Sequence, residues 1–292
     1  MAEVCVVHLV WAPLGLEPFA QFVASYRQKQ AGMEHDLVVV FNGFRAAGEC
    51  RAYHRLLGGL AYEALVLPRP MLDIPAYYAA ARHFGHNYFC FLNSYSVILD
   101  DGWLAKLYRH ITRPGVGLVG ASGSYETRHP GEDAWPPFRW RPMFGLLWRL
   151  RFREFAAEYR AWRELRYRSR YFDPFPNPHI RTNAFLISRD VLLRVQCPPV
   201  RCKLDAWRFE HGKDSLTRQV LGMGLRALVV GRDGAGYEMD RWFESCTFRS
   251  GGQRNLLVAD NQTRWNMEAG PDTRQLMAEW TWGEKGHTAC SV

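Results

Sequence analysis

The stretch that decides the fold runs Tyr88-Phe89-Cys90-Phe91-Leu92, then Asn93-Ser94-Tyr95-Ser96, then Leu99-Asp100-Asp101-Gly102-Trp103-Leu104. An apolar run closed by a polar turn reads as a strand buried on both faces, because such a strand shows no polar alternation. Asp100 and Asp101 directly precede Gly102-Trp103-Leu104 and read as caps of a following helix. Working upstream, Val4–Val10 and Asp36–Phe41 have the same character, and Ala64–Leu67 reads as a further strand. Phe19, Phe22, Val23 and Tyr26 recur at helical spacing after Pro18, and Ala76–Phe84 reads as a second helix. Downstream, Gly117–Ala121, Asn183–Ser188 and Ala227–Val230 read as strands, with helices from Arg189 and from near Ser215. The tail beyond Asp260 carries Trp265, Trp280 and Trp282 but little periodicity. Buried strands alternating with helices predict an α/β fold with a mostly parallel sheet and helices on both faces. Ligands of such sheets sit at the carboxyl ends of the strands. Those ends are Ala12-Pro13, Asn42-Gly43, Pro68 to Asp73, and Asn93 to Ser96.

The chain has 292 residues, enough for one sizeable core with an embellishment. Its net charge of +8 is not evenly spread. Residues 135 to 172 hold ten Arg, no Lys, three Glu and no Asp, so this segment carries +7 and the remainder only +1. That distribution argues against a diffuse nucleic-acid coat. No run of eighteen apolar residues occurs, so a spanning helix is not expected. Val4 to Leu16 lacks a basic leader and reads as a strand rather than a signal peptide. Seven scattered cysteines, none spaced C-x-x-C, point to a reducing compartment without structural zinc, and so to a cytoplasmic chain.

Several enzyme classes are excluded by their missing loops. The first strand is followed by Trp11-Ala12-Pro13-Leu14-Gly15, with no G-x-G-x-x-G to let a pyrophosphate approach the backbone. There is no P-loop motif and no G-x-S-x-G elbow. The ordered set that is present, from Asp73-Ile74-Pro75-Ala76-Tyr77 through the strand at Tyr88 to Gly102-Trp103-Leu104, resembles the nucleotide-sugar-binding half of GT-A glycosyltransferases of the family 2 type. The resemblance covers roughly residues 4 to 122 and returns at 180 to 232. It implies a GT-A type Rossmann-like sheet, and a donor that is a UDP, GDP or dTDP sugar.

At the motif itself the sequence departs from the family: Asn93-Ser94-Tyr95 stands where Asp-x-Asp is expected. Carboxylates there would hold a divalent ion on the diphosphate, because hard cations prefer anionic oxygen ligands. Three routes stay open. Arg side chains and backbone N–H groups neutralise the diphosphate, another carboxylate holds Mg or Mn, or the site is degenerate. Asn93 and Tyr95 are donor-site candidates, although Asn93-Ser94 also suits a plain turn. Asn42 falls where the family contacts the base, and it equally suits a turn before Gly43. Asp73 could cap its helix or accept a hydrogen bond from a uracil or ribose.

The resemblance also places a carboxylate base in the second half, to take the acceptor hydroxyl's proton as it attacks the anomeric carbon. The matching stretch, Lys203 to Arg218, offers Glu210 and Asp214, with Asp205 third. Asp214 also suits a helix N-cap. His179 and Asn183, in the polar run before the strand at Ala184, are acceptor-side candidates, and Arg181 could offset diphosphate charge. The implied division is a nucleotide-sugar half (1–122), a basic aromatic excursion (123–176), an acceptor and catalytic half (177–260) and a tail (261–292).

Within the excursion Phe144, Trp148, Phe152, Phe155, Tyr159 and Trp162 lie on one helical stripe, with Arg149, Arg153, Arg160 and Arg163 around it and Arg139, Arg141, Arg166, Arg168 and Arg170 at the ends. Three readings compete: a helix packed on its own core, a helix on an anionic membrane through residues 139–170, and nucleic-acid stacking, which lacks a surrounding module. Self-association into a homo-oligomer would leave the same trace. The expectation is an inverting glycosyltransferase acting on a glycan or lipid-linked acceptor in cell-surface polysaccharide or glycoconjugate synthesis, peripheral on the inner face of a membrane. The alternative is a non-catalytic nucleotide-sugar-fold binding or scaffold protein at the membrane surface.

Overall fold

The computed structural model describes residues 1–131 and 147–284. The first half runs β1 (Val4–Trp11), α1 (Glu17–Gln28), β2 (Asp36–Asn42), α2 (Arg51–Leu56), β3 (Glu63–Val66), α3 (Asp73–His83) and β4 (Tyr88–Leu92). Then come β5 (Val97–Ile98), α4 (Trp103–Ile111), β6 (Val116–Gly120), β7 (Gly123–Ser124) and α5 (Leu147–Tyr171). The second half holds β8 (His179–Ile180), β9 (Ala184–Ser188), α6 (Arg189–Arg194), α7 (Lys203–His211), α8 (Leu216–Gly222), β10 (Arg226–Val230) and β11 (Gly236–Tyr237). It closes with β12 (Val258–Ala259), α9 (Asn261–Glu268) and α10 (Pro271–Trp282).

Eight strands form one sheet in the order β11-β10-β6-β9-β4-β1-β2-β3. The pairs β1–β2, β1–β4, β2–β3 and β6–β10 are parallel. Alternation along β1 explains its unbroken apolar sequence: Cys5, Val7 and Leu9 enter one core while Val4, Val6 and Val10 enter the other. Tyr77 of α3 and Phe209 of α7 pack into the first core, and Phe22 of α1 and Trp103 of α4 into the second. This is the mixed α/β sheet with helices on both faces, the Rossmann-like arrangement expected of a GT-A fold.

Several expectations need correction. β9 runs antiparallel between β4 and β6. The chain reaches it through the excursion rather than a helical crossover, and no parallel connection is imposed. β3 is not a buried strand; it lies at the sheet edge, and Val66 is 53% exposed. Asp100 and Asp101 do not cap α4, whose N-cap is Gly102 in the left-handed conformation (φ 66°). Asp101 instead accepts a hydrogen bond from the Gln30 backbone at 2.8 Å, and Asp100 pairs with Lys106. The tail, which shows little periodicity in sequence, forms α9 and α10. Asp260 caps α9, Pro271 opens α10, and Trp282 donates its indole N–H to the Phe248 carbonyl.

The excursion leaves the sheet at β7 and returns at β8, its antiparallel partner. The stripe positions Phe144, Arg139 and Arg141 lie outside the described residues, as do the side chains of Trp148, Arg149, Phe152, Arg153 and Phe155. In the remaining part of α5, no residue from 156 to 171 is buried, so this part is not packed on a core of its own. Its last turns rest on α7: Tyr167 donates to Asp205 at 2.9 Å, and the Arg208 guanidinium lies 4.0 Å from the Tyr171 ring. Among the described residues no helix is long and apolar enough to cross a membrane.

Candidate active site

An open cleft of about 360 Å³ lies at the carboxyl ends of β1, β2 and β4. That volume is in the range of pockets that enclose a small ligand. Leu9, Trp11 and Asn42 come from the strand ends, and Met71 to Ile74 from the start of α3. The turn after β4 supplies Asn93 to Tyr95, and the approach to β9 supplies Arg181 to Asn183. The opposite wall is one face of α7, where Lys203, Ala206, Trp207 and Glu210 stand at positions i, i+3, i+4 and i+7. Asp260, Asn261 and Gln262, at the start of α9, close one end.

The cleft therefore brings together seven of the candidates: Asn42, Asp73, Asn93, Tyr95, Arg181, Asn183 and Glu210. Asn42 is buried, and its amide is fully engaged with the Met71 backbone, donating to the carbonyl at 2.7 Å and accepting from the N–H at 3.1 Å. It clamps the end of β2 to the loop before α3. Asp73 opens α3, and one of its oxygens accepts from the Ile74 N–H at 3.0 Å. Burial in the cleft wall, and then the negative charge of Glu210, raise its pKa above the usual carboxylate value. Asn93 Oδ1 accepts from the Tyr95 N–H at 3.0 Å and from Ser96 Oγ at 3.1 Å, which makes the strand-ending turn.

Glu210 is held from one side only. Its Oε1 accepts from the Thr182 N–H at 2.9 Å and from Thr182 Oγ1 at 3.2 Å, while Oε2 has no partner among the described residues. A carboxylate oriented through one oxygen and open at the other suits proton acceptance. Asn183 Oδ1 accepts from Ser122 Oγ at 3.1 Å, and its Nδ2 is buried without a partner among the described residues. Arg181 is not a free cation: its Nη2 donates to Asp260 Oδ2 at 2.7 Å, and its guanidinium lies 3.9 Å from the Phe248 ring.

Three candidates fall outside the cleft. His179 is buried behind it, donating Nδ1–H to the Asn177 carbonyl at 2.9 Å with its ring 4.8 Å from that of His211. Asp205 serves the N-terminal box of α7, accepting from the Arg201 and Cys202 N–H groups at 2.9 and 3.1 Å. Asp214 does not cap α8; Ser215 does, and Asp214 pairs with Arg208, whose Nε donates to it at 3.0 Å.

Trp207 and Lys203 are cleft residues that the sequence reading did not select. The i, i+3, i+4, i+7 repeat through Glu210 carried the signal. Asp260 was not selected from the sequence either, and its partner Arg181 is 79 residues away. Two cleft carboxylates are left as possible ligands of a divalent ion. Asn93 has committed its oxygen, Asp260 is paired with Arg181, and Asp73 and Glu210 are the remaining cleft carboxylates. Among the described residues no three His, Cys, Asp or Glu side chains are grouped to hold a metal.

No protein-family model matches the chain, and no curated protein sequence matches it. Among solved structures it is similar to the mannosyltransferase PcManGT from Pyrobaculum calidifontis, in complex with GDP-Man and Mn2+, with a TM-score of 0.49 and 16% identity over 81% of this chain and 56% of that one. It is also similar to residues 1–349 of TarS from S. aureus, with a TM-score of 0.40 and 9% identity over 70% of this chain and 53% of that one. The chain spans just over half the length of each of these structures.

Proposed function

We propose that this chain is a glycosyltransferase that moves a sugar with inversion from a UDP, GDP or dTDP sugar to a hydroxyl of a glycan or lipid-linked acceptor. One observation carries the reading: a cleft at the strand ends joins the donor-side residues Asn42, Asp73, Asn93 and Tyr95 to an oriented carboxylate, Glu210, on the opposite wall. The acceptor oxygen bonds to the anomeric carbon as the bond from that carbon to the phosphate oxygen breaks. The electron pair leaves with the nucleoside diphosphate, and Glu210 takes the hydroxyl proton. The adjoining basic helix α5 supports a position on an anionic membrane face, where a lipid-linked acceptor for cell-surface glycans would be presented.

The test is a thermal-shift panel of UDP, GDP, dTDP and CMP, with and without Mn2+. Saturation at a hundred times Kd stabilises by about 2.7 kcal/mol, or several degrees in Tm. If no nucleotide raises Tm, the reading fails. With the correct donor and acceptor, Glu210→Gln lowers kcat by about a hundredfold or more while nucleotide affinity stays within about twofold. Asp214→Asn leaves kcat unchanged.

A further inference from the structure

Resting on the nucleotide-sugar reading, we infer that Lys203 supplies the cation that binds the donor's diphosphate. A diphosphate brings several negative charges into a cleft whose carboxylates, Asp73 and Glu210, have no ion-pair partner among the described residues. Something positive must meet it. Arg181 and Lys203 are the cationic side chains on the lining. The Arg181 charge is matched by Asp260 at 2.7 Å, both groups being buried. Lys106 and Lys213 stand in ion pairs with Asp100 and Asp173, but Lys203 has no carboxylate within 4.0 Å among the described residues. It is exposed on the cleft wall, near enough to Asp73 for its charge to act against the raising of that carboxyl's pKa.

Its position within α7 fits a displacement reaction. Lys203 and Glu210 are seven residues apart on one helix face, roughly 10 Å along the axis. In an inverting transfer the attacking hydroxyl and the leaving phosphate lie on opposite sides of the anomeric carbon. Glu210 meets the hydroxyl at one end of this face, and the long Lys203 side chain reaches the departing phosphate oxygens at the other. The Lys203 ammonium donates hydrogen bonds to the oxygens on which the electron pair arrives, and the acceptor proton goes to Glu210.

Fold stability gives no reason for a lysine here. Lys203 is the first residue of α7, where the helix dipole and the free N–H groups disfavour a positive charge. Lys203→Met is therefore expected to fold at least as well as the parent chain. Any loss of binding then reports on the ligand rather than on folding.

The experiment is calorimetric titration in EDTA with UDP and GDP, and with uridine and guanosine as phosphate-free controls. The parent chain is expected to bind one of the nucleotides without metal. Lys203→Met weakens that binding by about ten- to a hundredfold, Lys203→Arg by much less, and nucleoside binding changes by less than twofold. The inference is overturned, with the glycosyltransferase reading intact, if nucleotide binds only after Mn2+ is added. It is equally overturned if Lys203→Met binds UDP and GDP like the parent, or if nucleoside binding falls as far as nucleotide binding. Absence of nucleotide binding with and without Mn2+ removes both readings.

Discussion

His8 sits in the middle of β1, fully buried, its ring stacked 3.6 Å from that of Phe22 and neither nitrogen bonded among the described residues. Burial lowers its pKa from 6.5 to about 3, because the charged ring cannot be hydrated there. His179 and His211 are shifted down as well, burial being the largest cause for both. Below pH 6.5 the unfolded chain binds protons that the native state refuses, so stability falls as pH falls, by roughly 1.4 kcal/mol per pH unit for His8, with His179 and His211 acting in the same direction. Urea midpoints at pH 7, 6 and 5 should drop accordingly, and His8→Leu should make that slope shallower. An unchanged slope in His8→Leu would contradict the assignment. Asp73 has the opposite sign. Its raised pKa means that the native state holds the proton more tightly, so stability falls as pH rises from 3.8 through the native value. At neutral pH its ionised carboxylate destabilises the fold. Asp73→Asn should raise Tm at pH 7 by a few degrees while weakening nucleotide binding. Loss of both Tm and binding would mean that Asp73 is structural.

The start of α9 shows what one buried pair contributes at the level of an element. Asp260 Oδ1 accepts from the Thr263 N–H at 2.9 Å, its own N–H donates to Thr263 Oγ1 at 2.7 Å, and Oδ2 accepts from Arg181. Asp260→Asn keeps a capping oxygen but leaves the Arg181 charge buried and uncompensated, at a cost of about 3–5 kcal/mol. Adding Arg181→Met to Asp260→Asn should recover much of that, as read from chemical-denaturation midpoints. If the double variant is as unstable as the single one, the pair is not the cause. α9 and α10 also show why the tail escaped sequence reading. Their buried residues are Thr263, Asn266, Met277, Thr281 and Trp282, mostly polar, so they leave no apolar period to detect. β1, β2 and β4 were legible for the converse reason: burial on both faces writes an unbroken apolar run. The same kind of run at Ala184–Ser188 carries no direction, and β9 proved antiparallel. Strand ends announced Asn42, Asp73, Asn93 and Tyr95, which line the cleft, whereas pairing between distant positions, such as Arg181 with Asp260, leaves no local mark.

At the scale of the whole molecule, the described part of the basic segment carries an exposed row of arginines on α5. Arg163, Arg166 and Arg170 follow at i, i+3 and i+7, share one helix face, and are all solvent-exposed. Their guanidiniums lie 5.9, 5.3 and 5.4 Å from the rings of Tyr159, Trp162 and Tyr171, and no carboxylate lies within 4.0 Å of any of them among the described residues. Arginine held on an aromatic ring keeps its donors available, which suits phosphate groups in a layer of anionic lipid. The end of α5 rests on α7, the helix that carries Glu210 and Lys203, so a membrane bound along α5 would lie beside that wall of the cleft. Each basic residue near an anionic surface contributes about 1 kcal/mol. Replacing Arg163, Arg166 and Arg170 together by Gln should weaken partition onto phosphatidylglycerol vesicles about a hundredfold. Binding of the parent chain should also collapse between 0.05 and 0.5 M salt (order-of-magnitude bounds), because screening shortens the range of surface charge from about 10 Å at 0.1 M. A nucleic-acid function would show the same salt response, so flotation is run beside binding to a random duplex. Duplex binding tighter than vesicle binding, or flotation unaffected by the triple substitution, would sink the membrane assignment and leave transfer to a soluble glycan as the activity of the cleft.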